Sequence, residues 1–324
     1  MIYPWHQHHW QQLVANWHNR PNAWLFVGKA KTGKSAFAQY LAQALLCENP
    51  EKDYQPCGQC PSCHLFEQGS HPDFMLLTPG QDEDTGNARK LLQIKIDSVR
   101  EVLQFSQITS HRGGLKVIVI NPAESMNVQA ANALLKVLEE PPQNVVFILV
   151  SSQKDRLLPT IKSRCRPFVL DMPDKEQALN FLREQQVADA ASLLAFNGGA
   201  PLFEDSSEHN EIRAQLTELL SEPALIAFMD FAAKFDQKKW PLALFLDWMQ
   251  KWITDLVWVQ YNTKAYFYPD YTDELKKIGQ NIQMISVFEF LAQLNKLIPY
   301  GQHTLNVKLQ VEAVVIDYLN LIKS

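Results

Sequence analysis

Short continuous apolar runs alternate with segments of helical periodicity through the first half of the chain. Ala23-Trp-Leu-Phe-Val27 runs directly into Gly28, the pattern of a strand buried on both faces. Phe37, Leu41, Ala44 and Leu45 then recur at helical spacing. Phe74-Met-Leu-Leu77, Val117-Ile-Val-Ile120 and Val145-Val-Phe-Ile-Leu-Val150 are further strand candidates, with Phe168-Val-Leu170 as a fifth. Between them, Val99, Val102, Leu103 and Phe105 predict one helix. Ala130–Leu138 predicts another, which stops at Pro141-Pro142 because proline lacks the amide a helix interior needs. Strands alternating with helices imply a parallel sheet covered on both faces, a doubly wound α/β domain over about residues 1–170.

After Pro173 the strand-like runs stop. Lys175–Gln186 and Ala188–Phe196 read as two short helices ending at Gly198-Gly199, a small helical unit. From about Asn210 onward apolar residues recur only at helical spacing, and Leu242, Phe245, Met249, Ile253 and Leu256 form one such stripe. Trp240, Trp248, Trp252 and Trp258 in this region read as core and helix-contact residues rather than a ligand box.

Composition narrows the function classes. The chain has 324 residues, enough for two or three domains, and its 46% hydrophobic content excludes a disordered chain. A formal charge of −5 argues against nucleic-acid binding by bulk basicity. No apolar run approaches the roughly 20 residues of a membrane span, so no membrane association is expected. The N-terminal Met1-Ile-Tyr-Pro-Trp-His-Gln-His-His9 lacks the apolar core of a secretory signal, which predicts a cytoplasmic protein.

Gly28-Lys-Ala-Lys-Thr-Gly33-Lys34-Ser35 matches the phosphate-loop pattern G-x-x-x-x-G-K-[ST], and it sits between a predicted strand and a predicted helix. Gly28 and Gly33 let backbone amides turn inward around phosphate, Lys34 reaches the β- and γ-phosphates, and the Ser35 hydroxyl suits Mg²⁺. ATP with Mg²⁺ is therefore a candidate ligand. Hydrolysis also needs acids at the end of a neighbouring strand. The strand ending at Ile120 instead runs into Asn121-Pro122-Ala123-Glu124. Asn121 is neutral and Pro122 carries no acid. Glu124 reads as a solvated carboxylate, with a catalytic role as the alternative.

Cys57-Gly-Gln-Cys60-Pro-Ser-Cys63 places three thiols in seven residues, with Cys47 upstream and Cys165 alone. This spacing predicts a closed, structural tetrahedral Zn²⁺ site in a reducing compartment, with His64 and His71 competing with Cys47 for the fourth position. Ser163-Arg164-Cys165 follows the fourth strand. Taken alone, Arg164 reads either as a surface ion-pair residue or as a guanidinium acting on another subunit's nucleotide.

These segments together resemble the delta-prime clamp-loader subunits of bacterial DNA polymerase III, in the AAA+ family. The residues that carry the resemblance are Tyr3-Pro4-Trp5, the phosphate loop, the four cysteines, His71-Pro72-Asp73, the stretch Ala130-Ala-Asn-Ala-Leu-Leu-Lys-Val-Leu-Glu-Glu-Pro-Pro142, and Ser163-Arg164-Cys165. The gamma/tau relatives carry Asp-Glu where this chain has Asn121-Pro122, and a lid arginine where Gly198-Gly199-Ala-Pro201 stands. The resemblance implies an AAA+ P-loop domain (1–170) with a zinc-binding insertion (47–63), a helical lid (171–206) and an all-α oligomerisation collar (207–324). It implies an arginine finger, Arg164, reaching the ATP site of a neighbouring gamma/tau subunit. The expected complex also contains delta and loads the sliding clamp on primer-template DNA. The expected role is a component of the DNA-directed DNA polymerase holoenzyme with no ATP turnover of its own. An ATP-hydrolysing gamma/tau-like subunit, or a stand-alone P-loop ATPase, is the alternative.

Overall fold

The computed structural model describes residues 2–80, 93–203, 207–261, 263–298 and 306–323, so the expected boundary at 206/207 falls at the edge of residues outside the described set. Five strands, β1 (Ala23–Val27), β2 (Phe74–Leu77), β3 (Lys116–Ile120), β4 (Val145–Ser151) and β5 (Arg166–Val169), form one sheet in the order β2-β3-β4-β1-β5. Every pairing is parallel, with Ala23 opposite Phe147 and Trp24 opposite Arg166. The α/β class expected from the alternation of elements is found.

The continuous apolar runs are explained by the two faces they serve. Ala23, Leu25, Val27, Ile118, Ile120, Phe147 and Leu149 join Val99 and Val102 of helix Ile96–Gln107 and Leu134 and Leu138 of helix Val128–Glu139 in one core. Their neighbours in the strands, Trp24, Phe26, Val117, Val119, Val146 and Ile148, pack the opposite face with Trp10, Leu13, Phe37 and Leu41. A side-chain period of two feeds both cores from the same strands. Fully buried side chains such as Phe26, Phe37 and Phe147 each contribute roughly 1.5–3 kcal/mol. Asn127 caps helix Val128–Glu139 by accepting from the Ala130 amide at 2.8 Å.

Two compact regions divide the chain, the first ending at Gln177 and the second running from Ala178 to Ser324. In the second, Ala178, Leu182 and Leu194 pack the short helices together. The pair ends as glycine spacing predicts, with Gly198 and Gly199 at φ +61° and +85° and their amides on the Ala195 and Leu194 carbonyls. Among the described residues, the α-helices that follow are Ser207–Ser221, Leu225–Gln237, Leu242–Gln260, Thr272–Gly279, Met284–Leu297 and Val307–Lys323. The predicted stripe Leu242, Phe245, Met249, Ile253 and Leu256 is buried throughout. Trp248 and Trp252 are buried, and the Trp252 indole donates to the Tyr318 hydroxyl, which donates on to the Leu220 carbonyl. Trp258 departs from the expectation: it lies off the stripe and is about half exposed. Buried Asp255 accepts from the amides of Tyr266, Phe267 and Tyr268, fixing the loop that follows the longest of these helices. No described helix is long and apolar enough to cross a membrane.

Candidate functional site

The phosphate loop joins β1 to helix Lys34–Leu46. Gly28 stands where a Cβ would come within 2.3 Å of the Leu170 carbonyl oxygen, and Gly33 opens the helix at φ +94°, so glycine is required at both positions. Lys34 is only 4% exposed. Its ammonium donates to the Lys29 carbonyl at 2.5 Å, and the Thr32 hydroxyl donates to the same oxygen at 2.9 Å. The Trp5 indole N–H donates to the Thr32 carbonyl at 2.9 Å, so the N-terminal segment braces the loop from outside. Burial pulls the Lys34 pKa down to about 8, against the opposing charge of Glu124.

At the end of β3 the Asn121 side-chain amide donates to the Ser35 hydroxyl at 3.0 Å. Pro122 follows through a cis peptide. Glu124 is not the solvated carboxylate expected. Its Oε1 accepts from the Ser152 amide at 2.9 Å, and its Oε2 is buried with no partner. The loop thus has the cation, hydroxyl and backbone shape to receive phosphate. The strand end beside it carries an amide and a proline where a water-orienting carboxylate is needed for hydrolysis.

Cys47 lies just beyond helix Lys34–Leu46, and Cys63 lies inside helix Pro61–Glu67, whose N-cap is Cys60. The four sulfurs of Cys47, Cys57, Cys60 and Cys63 all lie within 4.8 Å of one another, and none is in a disulfide. Metal–sulfur bonds of about 2.3 Å place tetrahedral ligands about 3.8 Å apart. Cys47 is 3.6 Å from Cys57 and 3.9 Å from Cys60, so the cluster can hold a metal ion. The amides of Cys57, Cys60 and Cys63 donate to the sulfurs of Cys47, Cys57 and Cys60. Burial pushes the Cys60 thiol up, but the Cys63 and Glu48 amides and the adjoining thiols outweigh it and bring Cys60 to about 6.

His71 is engaged elsewhere. Its Nε2 is 2.8 Å from the Ser62 hydroxyl, its Nδ1 accepts from the Asp73 amide, and Ser62 donates to the Leu46 carbonyl. Buried Asp73 accepts from the Ser110 hydroxyl and from the amides of His111 and Arg112. Burial alone would raise its pKa; these donors and Lys116 lower it. Arg112 reaches on to Glu48, so His71-Pro72-Asp73 ties the cysteine segment to the sheet.

Arg164 follows the short helix Pro159–Lys162. Its Nη1 donates to the Thr160 carbonyl at 2.9 Å and its Nη2 donates to Glu139, the last residue of helix Val128–Glu139. Its Nε is buried without a partner. Cys165 beside it is buried, which pushes its thiol up to about 12.

Two features escaped the sequence reading. The Glu139–Arg164 pair joins two segments read as separate marks; their opposite charges were visible, but their proximity comes from helix packing. His6 was read only as part of a signal-less N-terminus. It is fully buried with both ring nitrogens unpartnered, and burial, then His9, His8 and Lys34, take its pKa down to about 4.

A family model described as DNA polymerase III, delta subunit, matches residues 5–174. The DNA polymerase III subunit delta' of Pseudomonas aeruginosa is 32% identical over 332 residues, covering 99% of this chain and 98% of that one. The chain belongs to the DNA polymerase III delta' family. The Escherichia coli delta' subunit is 33% identical over 204 residues, covering 61% of this chain and 58% of that subunit. Among solved structures, a gamma subunit-related protein from Thermotoga maritima aligns over 97% of this chain and 99% of that one, at 18% identity and a TM-score of 0.43, too distant to bear on the site. Membership in the delta' family makes this chain a clamp-loader subunit of DNA polymerase III, with a place in a clamp-loader complex.

Proposed function

We propose that this delta' subunit serves ATP-dependent loading of the sliding clamp on primer-template DNA without hydrolysing ATP itself. It supplies Arg164 as a trans arginine finger to a neighbouring gamma/tau subunit, in a cytoplasmic complex that also contains delta. The observation that carries this reading is the contact of Asn121 with Ser35. A neutral amide rests on the hydroxyl that suits Mg²⁺, and the next residue is proline. Nucleotide held by Gly28, Gly33, Lys34 and Ser35 would be a bystander to the neighbour's chemistry. A bound triphosphate with Mg²⁺ would bring the phosphates themselves; Lys34 would leave the Lys29 carbonyl to meet them.

In the same reading, Cys47, Cys57, Cys60 and Cys63 hold a structural Zn²⁺ with no open coordination position. Residues 171–206 form the lid and residues 207–324 the collar. Exposed apolar side chains on two collar helices, Ile285, Phe288, Leu309 and Ile316, support an assembly role, since such side chains gain from being covered by a partner.

The test is Arg164→Ala in a complex reconstituted with gamma/tau and delta. The expected loss of DNA-stimulated ATPase is about 10³-fold. An unchanged rate overturns the finger role. The second reading, an ATPase using Glu124, is favoured by the unpartnered Oε2 and by the charge Glu124 exerts on Lys34. Brisk phosphate release by the isolated chain, abolished by Lys34→Ala, decides for it.

A further inference from the structure

We infer that Glu139 holds Arg164 on its own chain until a neighbouring subunit's phosphates displace it. This inference rests on the finger role proposed above. A guanidinium grips phosphate best with two N–H groups side by side in one plane. In Arg164 both ends of that fork are occupied: Nη2 by Glu139, and Nη1 by the Thr160 carbonyl, with the Ser163 hydroxyl at 3.4 Å. A phosphate arriving at Nη1 or Nη2 must therefore displace an acceptor that the chain itself supplies. The finger is withheld.

The hold is nevertheless exchangeable. Nε is buried with no acceptor, so the holding geometry leaves one donor unsatisfied. The Arg164 and Glu139 side chains are 29% and 49% exposed, so water and salt screen the pair. A phosphate enclosed at a subunit contact carries more charge and is screened less. Glu139 itself sits at the last residue of its helix, where unpaired carbonyls make a second negative charge unfavourable, and Glu140 follows. Its carboxylate therefore gains from a cation there, which returns Arg164 when the phosphate leaves. Glu139 acts through Arg164 alone; it is a positioning residue.

The test is Glu139→Gln in the complex with gamma/tau and delta, assayed for ATPase without and with primed DNA. The DNA-free kcat should rise about fivefold, the scale of one partly exposed ion pair. The KM for ATP and the DNA-stimulated kcat should each move less than about twofold. Glu139→Asp should fall between wild type and Glu139→Gln, and the rise should vanish in Glu139→Gln/Arg164→Ala. Thermal melts of the variants separate misfolding from release. A DNA-free rate that is unchanged or lower in a folded Glu139→Gln complex overturns the hold. If Arg164→Ala still cripples the stimulated rate in that case, the finger stands without it. If Arg164→Ala changes nothing, the finger and the hold fall together.

Discussion

Two cations of the α/β domain, Lys34 and Arg164, are both bonded to their own chain, but they are bonded differently. Lys34 is 4% exposed and donates a hydrogen bond to a neutral backbone carbonyl of the loop it belongs to. Arg164 is nearly a third exposed, pairs with a carboxylate from another helix, and keeps one donor unsatisfied. Burial lowers the ammonium's hold on its proton and turns it inward, as part of a loop that closes on itself. The guanidinium cannot lose its proton, and its partner can be exchanged. Position at the rim and a replaceable acceptor, more than charge, separate a cation that another molecule can recruit from one spent on its own fold.

Metal removal should have the largest effect on this comparison, because Cys47 and Lys34 lie at opposite ends of one helix. With the four cysteines holding the proposed Zn²⁺, stripping it with a chelator should cost several kcal/mol in urea denaturation. Hydrogen exchange should quicken across 47–63 while protection of Gly28–Ser35 stays within about twofold. Equal loss at both ends would mean that the loop depends on the metal.

Acid probes the buried side of the comparison. His6 packs near Lys34 with its pKa lowered to about 4 from 6.5, so between those values the unfolded chain binds the extra proton and the folded chain does not. Stability is therefore fully present above pH 6.5 and falls on acidification towards pH 4, by about 3 kcal/mol from this one group. His6→Phe should flatten that part of the stability–pH curve; a curve parallel to wild type would exclude His6 as its source.

On the exposed side, Arg164→Lys keeps the charge but not the planar fork, and should cost about 30-fold in DNA-stimulated kcat, or ~2 kcal/mol. Full activity would mean that charge alone suffices. Lys34→Ala in the assembled complex should leave that kcat within about twofold, since the transferring phosphate lies in a neighbour. A large loss there would make the two cations equivalent and erase the distinction.

Much of the fold was legible because each element carries its own local signature. β1 and β4 alternate side chains into two cores, so they read as unbroken apolar runs. The helix after Gly33 needed a glycine at positive φ, and Gly28 needed the absence of a Cβ; both lay inside one short pattern. The cysteine spacing pointed to a cluster because its ligands are close in sequence. Glu124 was misjudged as solvated because its burial depends on Ser152, 28 residues away on the next strand end. Trp258 was grouped with buried tryptophans because composition does not say which way a helix faces.

The order of apolar, polar and cysteine residues thus determined the α/β domain, the helical remainder, the phosphate loop and the four-cysteine cluster, since these rest on spacings of a few residues that backbone geometry reads directly. Only the tertiary structure decided that Lys34 turns inward, that Asn121 meets Ser35, that His71 serves Ser62 and that Glu139 grips Arg164. Each of those contacts joins groups that chain distance keeps apart, and the packing of helices on the parallel sheet brings them together.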